Sequence, residues 1–259
     1  MLLRRLIENI KEQNWFVVWL DVSVVMVGIF LGMQVTNWNE DRKDDDLRRI
    51  YNERLIVDFN NERSGSEARV DYFNGTKEYG YQALNYLNQP ISDRVPTTDI
   101  IVAFMMASGR WENSSKQNTY NELINSGRIH LLGNFKLRDI INQYYSDNTM
   151  RMVEFARMST YFTTIRSIIH PDVQETILNN CEKIKGVLQV TIIIKRACDI
   201  EISPIIVLET IKKIENHPRL KSELIYLISQ LRYNDVIYLE QISSATYSLE
   251  LLKGDESNN

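Results

Sequence analysis

The sequence predicts a mainly α-helical protein, in which an N-terminal transmembrane helix continues into a helical-bundle extramembrane domain with at most one small β-hairpin. Three observations carry that prediction: an apolar run from Trp15 to Val35, apolar residues at helical spacing through most of the remaining chain, and a single strand-like stretch rich in branched residues. The 259 residues divide accordingly into an amphipathic segment 1–14, a transmembrane helix 15–35, a helical domain 36–252 and a polar tail 253–259.

The N-terminal segment "MLLRRLIENIKEQN" places Leu2, Leu3, Leu6, Ile7 and Ile10 at helical spacing, with Arg4, Arg5, Glu8, Lys11 and Glu12 opposite. Such a pattern fits a short helix lying on a membrane surface, or an ordinary solvated helical start. From Trp15 to Val35 lie about 21 residues, enough at about 1.5 Å each to cross a hydrocarbon layer of about 30 Å. Trp15 and Trp19 stand at one end of the run and Trp38 just past the other, so three of the 4 tryptophans mark the positions where an amphipathic ring prefers the headgroup region. Asp21 opposes insertion by about 2.5 to 3.5 kcal/mol at the centre of a span and by less near its end, where Asp21 lies. The branched run from Val22 onward offsets that cost, and Val22 to Phe30 has no polar face beyond Ser23, unlike the core helix of a soluble protein. The run is followed by "QVTNWNEDRK", which has no small-residue cleavage site, and no cysteine adjoins it for lipid attachment. An uncleaved anchor is expected.

Gly28 and Gly32 form a GxxxG pair, the spacing that lets two helices bring their backbones close in lipid. Asp21 lies seven positions before Gly28, about 20° off the same stripe at helical geometry. Asp21, Val25, Gly28 and Gly32 therefore share one face, expected to pack against a second copy or a different membrane protein and to satisfy the carboxylate there.

This segment, read as "DVSVVMVGIFLGMQVTNWNEDRK", together with the later "TYNELINSGRIHLLGNFKLRDIINQYY", resembles an uncharacterised bacterial family, the one catalogued as domain of unknown function 6090. The shared features are a short basic head, an acidic residue followed by an apolar run with glycine, and an "NNWNE"-like exit. Asn37, Trp38, Asn39 and Glu40 match that exit, with Thr36 in place of its first asparagine. Asp21 stands where the family usually carries glutamate, and Gly32 where it usually carries alanine. The resemblance covers the first third of the chain and Tyr120 to Tyr145. It implies a bacterial single-pass architecture and carries no activity with it.

Beyond the span, Leu47, Ile50, Tyr51, Leu55 and Val57 to Phe59 recur among charges, so the first helix is expected to run straight out of the bilayer. "NGTKEYGYQALNYLNQP" gives a second helical stretch ended by Pro90. Thr97 or Thr98 can cap "DIIVAFMMASG", with Gly109 closing it, and "TYNELINSG" forms another short helix stopped by Asn125, Ser126 and Gly127. From Asn134 the apolar spacing through Leu137, Ile141, Tyr145, Met152, Phe162 and Ile165 predicts one long helix ending before His170 and Pro171. The run "GVLQVTIIIKRACDIEI", Gly186 to Ile202, could be a hairpin or a buried helix, since periodicity does not decide. Helical spacing returns after Pro204, breaks at "ENHPRL" and resumes from Leu220 to Leu252.

Composition and motifs restrict function mainly by exclusion. Hydrophobic residues at 44% and charged residues at 25% describe a chain that folds. The net charge of −4, with basic residues spread among acidic ones, leaves no electrostatic footprint for nucleic acid. Of the 3 histidines, none follows a glutamate at the spacing of carboxylate-bridged metals, and no zincin, nucleophile-elbow or phosphate-loop motif occurs. No catalytic residue, metal ligand or cofactor is therefore expected. His170 beside Pro171 reads as a helix end, where a cationic ring suits the terminal carbonyls. The aromatic stripe of the long helix reads as core rather than as a ligand pocket.

Cys181 and Cys198 are the 2 cysteines, expected as a disulfide in an oxidising compartment and as thiols in the cytosol. Basic residues nearly tie across the span, with Arg4, Arg5 and Lys11 before it and Arg42, Lys43, Arg48 and Arg49 after it. A short basic head before an uncleaved apolar run is the usual signal-anchor arrangement, which places the body in the periplasm and the span in the inner membrane. The expected function is a membrane-anchored interaction or scaffolding module associating through its transmembrane helix. The alternative is a periplasmic ligand-sensing bundle that signals through a partner subunit.

Overall fold

A computed structural model of the chain describes residues 15–112, 115–133, 135–155, 158–186 and 190–257, apart from the side chains of 152–155 and 255–257. The segment 1–14, expected as a surface helix, lies outside the described residues. The protein is mainly helical, with eight α-helices and one two-stranded antiparallel sheet among the described residues.

The first helix, α1, runs unbroken from Trp15 to Asn88, 74 residues and about 110 Å at helical rise. Nothing earlier in the sequence can stop it, because Pro90 is the first proline in the chain. The second stretch beginning at Asn74 is thus the same helix. Its face from Tyr51 to Leu87 packs against α8, Leu220–Ser257, which runs back along it and ends past Lys253, where the sequence alone starts a polar tail. The pairs Ser66 with Gln241, Lys77 with Asp235 and Gly80 with Ile228 fix the two helices as antiparallel. Leu55 and Phe59 are fully buried in that seam, each contributing about 1.5–3 kcal/mol by burial.

Between these two rods the chain lays shorter elements: α2 (Thr98–Met106), α3 (Asn118–Asn125), α4 (Phe135–Phe155), α5 (Thr160–Ile168), α6 (Pro171–Cys181), the strands β1 (Glu182–Lys185) and β2 (Thr191–Ile194), and α7 (Pro204–Glu215). Gly127 closes α3 with φ 70°, a left-handed position that favours glycine. The core falls into two clusters. One gathers Leu55, Phe59, Leu123, Ile141, Tyr145 and Leu249, and the other gathers Tyr72, Phe104, Tyr161, Ile177, Ile211 and Tyr238.

Three sequence expectations need correction. The single helix expected from Asn134 to Ile169 is two helices, because Ser159 takes the N-cap of α5 and its hydroxyl accepts from Phe162 N at 3.1 Å. Such a cap is worth about 1 kcal/mol, and a pattern of apolar spacing does not register a single side-chain to backbone hydrogen bond. A helix does end just before His170, since α5 stops at Ile168, but the ring itself serves the next helix: His170 is the N-cap of α6, with Nδ1 accepting from Asp172 N at 3.3 Å and Pro171 at the first helical position. The branched run is a hairpin rather than a helix, but its first strand precedes Gly186: Glu182 pairs with Ile194 and Lys185 with Thr191.

The hairpin sits on α1 at Gly75. A Cβ at that position would collide with Ile194 Cγ2 and Arg196 Nη1, so the glycine provides the seat for the strand. Tyr79 donates to Lys195 O at 2.6 Å, and Arg196 pairs with Asp71 at 2.9 Å.

Candidate functional site

The most distinctive feature is the free end of α1. From Trp15 to Ile50 no residue is buried, whereas Tyr51 is 2% exposed and buried positions recur from there to Leu87. This is the one described helix long and apolar enough to cross a membrane, and none of its apolar window is covered by the fold. Trp15, Trp19 and Trp38 expose 69%, 68% and 67% of their surface. Val25 is exposed, Asp21 is half-exposed, and a Cβ added at Gly28 or Gly32 would meet nothing within 4 Å. The stripe of Asp21, Val25, Gly28 and Gly32 is thus presented outward on a continuous helix with no partner inside the protomer. Ser23 and Thr36 return their hydroxyls to their own helix, at Trp19 O (2.8 Å) and Gly32 O (3.0 Å), which leaves neither seeking a hydrogen bond outside.

Where α1 enters the body, a polar layer separates the two core clusters. Glu62, Ser66 and Arg69 lie on the buried face of α1 between Phe59 and Tyr72. Glu62 accepts from Lys116 N at 3.1 Å and from Tyr144 OH at 3.3 Å, tying the loop after α2 and helix α4 to α1. Burial raises its carboxyl above the ordinary glutamate range, against the pull of those hydrogen bonds and of Arg69. Burial likewise lowers the Arg69 guanidinium, which lies 5.3 Å from the centre of the Trp111 ring. Gln241 accepts from Ser66 and donates to Asn148 Oδ1 at 2.5 Å. A slip of α8 along α1 would strand these groups without partners, so the layer holds the register of the long pair.

A half-open groove of 350 Å³ lies beyond that layer, between α1, the turn after α2, the start of α5 and α8. Phe73, Trp111, Leu227 and Leu231 form its buried floor, and Tyr226 and Tyr233 stand exposed on its rim. Gly109 belongs to its wall because a Cβ there would meet Thr76 Oγ1 at 2.6 Å and Tyr72 OH at 2.8 Å.

Cys181 and Cys198 are joined as a disulfide with Cα atoms 5.3 Å apart, bracketing the hairpin from the end of α6 to the irregular segment beyond β2. Glu182 beside it receives the Tyr72 hydroxyl at 2.9 Å, and burial raises its carboxyl pKa. Among the described residues no group of three or more His, Cys, Asp and Glu is placed to hold a metal ion.

The structure keeps the four stripe residues together on one helix and the tryptophans at the ends of the same segment. It also brings together two sets that the sequence reading did not assemble. The polar layer had a visible signal, since Leu55, Phe59, Glu62, Ser66, Arg69 and Phe73 follow one helical face with polar residues at its middle. The groove had none, being built from four separated stretches of chain. No protein-family model matches the chain, and no curated protein or solved structure matches it either.

Proposed function

We propose that this protein is a single-pass inner-membrane protein whose helical body, on the periplasmic side, works as an interaction or scaffolding module. It acts by association and not by catalysis. The observation that carries this reading is the uncovered segment Trp15 to Val35. A soluble fold would bury so long an apolar helix, yet no residue of this segment is buried against the body. Lipid is the environment that covers such a surface at least cost, with Trp15, Trp19 and Trp38 at the headgroup levels. The outward stripe of Asp21, Val25, Gly28 and Gly32 supports pairing in the bilayer with a second copy or with another membrane protein. The resemblance to the family of unknown function 6090 agrees with this architecture.

The Cys181–Cys198 disulfide supports an oxidising compartment for the body. Thiol labelling tests the sidedness. In intact cells a maleimide that crosses the outer but not the inner membrane is expected to react with Cys198, the more exposed of the pair, only after a pulse of reductant. Labelling that requires cell lysis would place the body in the cytosol.

One observation favours a second reading. The aromatic groove beside the polar layer is of a size suited to a small ligand, which fits a sensing bundle that passes a change along α1 to a partner subunit.

A further inference from the structure

We propose that the groove between α1, α5 and α8 is a binding site for a small anion with an aromatic body, such as an aromatic carboxylate. Its volume of 350 Å³ lies at the lower end of the range typical of small-molecule sites. The floor is apolar and rigid: Trp111 and Phe73 each meet the Tyr72 ring edge-on, at 5.6 Å and 5.3 Å between centroids. A planar ring inserted between that floor and the rim tyrosines Tyr226 and Tyr233 finds aromatic surface on both sides.

The charge requirement comes from the arginines. Arg110 lines the groove itself, and its ion pair with Glu112 at 2.9 Å uses a carboxylate that is mostly solvent-exposed. A surface pair of that kind is worth about 0–1 kcal/mol and is readily exchanged for a ligand carboxylate. Two further arginines lie behind the aromatic walls, outside the groove's own lining. Arg69, 6% exposed, lies over Trp111 at 5.3 Å, and Arg166 lies over Phe162 at 4.5 Å while its Nε donates to Ser108 Oγ at 3.2 Å. Burial disfavours the charge on both guanidiniums, and Glu62 beside Arg69 and Glu182 beside Arg166 offset part of that cost. Arg110 is the charged side chain among the described residues lining the groove, and no aspartate or glutamate lines it, although the chain carries 34 acidic side chains against 30 basic ones. Gln230 and Asn234 supply amides that can orient a second polar group on the ligand.

Trp111 provides the measurement, because the other tryptophans, Trp15, Trp19 and Trp38, all lie on the free end of α1. In the full chain held in lipid nanodiscs and carrying Trp15→Phe, Trp19→Phe and Trp38→Phe, 4-nitrobenzoate is expected to quench the remaining emission saturably. The uncharged 4-nitrobenzyl alcohol at the same concentration is expected to quench at least about tenfold less effectively, which corresponds to about 1.4 kcal/mol. Arg110→Gln is expected to weaken 4-nitrobenzoate at least tenfold with an unchanged thermal melt. Ser229→Trp cannot serve in this readout, so Ser229→Phe, at an exposed position on the groove wall, is the blocking variant and is expected to abolish saturation. Unsaturable quenching, equal quenching by the alcohol, or an unaltered response in both Arg110→Gln and Ser229→Phe overturns the proposal. None of these outcomes bears on membrane insertion, which rests on the opposite end of α1.

Discussion

Replacing Gly28 and Gly32 together with leucine is expected to abolish self-association of the full-length chain in a bacterial membrane two-hybrid assay, while the body stays folded. The expectation follows from where the two glycines stand. A Cβ at either position meets nothing within 4 Å, so the larger side chains cost nothing inside the protomer. Leucine is also the better helix former, by close to 1 kcal/mol per residue, so α1 itself is not weakened. Whatever the substitution removes must therefore lie between molecules. In lipid there is no hydrophobic drive for two spans to meet, and close backbone packing over small residues is what holds them. Leucine at two consecutive turns separates the backbones along the whole contact. A signal that survives the double substitution would show that copies do not meet across this stripe and would leave a different membrane protein as its partner. Asp21→Leu serves as a second probe, because a carboxylate satisfied at the helix contact is lost with it, whereas one reaching the headgroups is not missed.

Removing the disulfide by Cys181→Ala with Cys198→Ala is expected to destabilise the body by about 3 kcal/mol, the chain-entropy value for a loop of this size. For a body of this length that corresponds to a fall in Tm of roughly 6 to 12 °C. The bond closes a separation of 17 residues around an element with little hold of its own. The hairpin has four cross-strand pairs, and an isolated two-stranded hairpin is marginal in water. Its other ties include the burial of Ile194 against Gly75, the Lys195 N bond to Cys181 O at 2.8 Å, the Tyr79 and Tyr72 hydroxyl bonds, and exposed pairs from Arg196 to Asp71 and Glu78. Exposed pairs of that type contribute little. The expected consequence is local as well as global: amide protection is lost first across residues 182–185 and 191–194 and then along the Gly75 face of α1. Differential scanning calorimetry and hydrogen exchange on the double alanine variant read both effects. A Tm change under 2 °C would mean that the docking on α1 holds the hairpin without the bond.

How much of this was legible in the sequence varies with the physical signal at each element. The free end of α1 was fully legible, because length, apolarity and flanking tryptophans are local properties of one stretch. So was the stop after α3, where Gly127 adopts the left-handed conformation that its position after Asn125 and Ser126 implies. The unity of α1 was not, since the stretch from Asn74 to Pro90 reads as a second helix, whereas Gly75 and Gly80 within it are each where another element approaches: Ile194 at Gly75 and Ile228 at Gly80. Strand β1 was missed for a different reason. Its residues Glu182 to Lys185 are largely exposed and carry no apolar alternation, so only its branched partner Thr191 to Ile194 declared itself. The break before α5 and the role of His170 rest on single side-chain to backbone hydrogen bonds, which a pattern of apolar spacing does not contain. The groove depends on four segments meeting in space, information that becomes available only once α1 and α8 are paired.

The central claim is that the uncovered segment Trp15 to Val35 resides in lipid, and the most direct measurement is how the full-length protein leaves the membrane fraction. The account predicts that it stays in the pellet through an alkaline carbonate wash and enters solution only with detergent. Recovery of the intact chain as a monodisperse species in plain buffer, without any amphiphile, would contradict it.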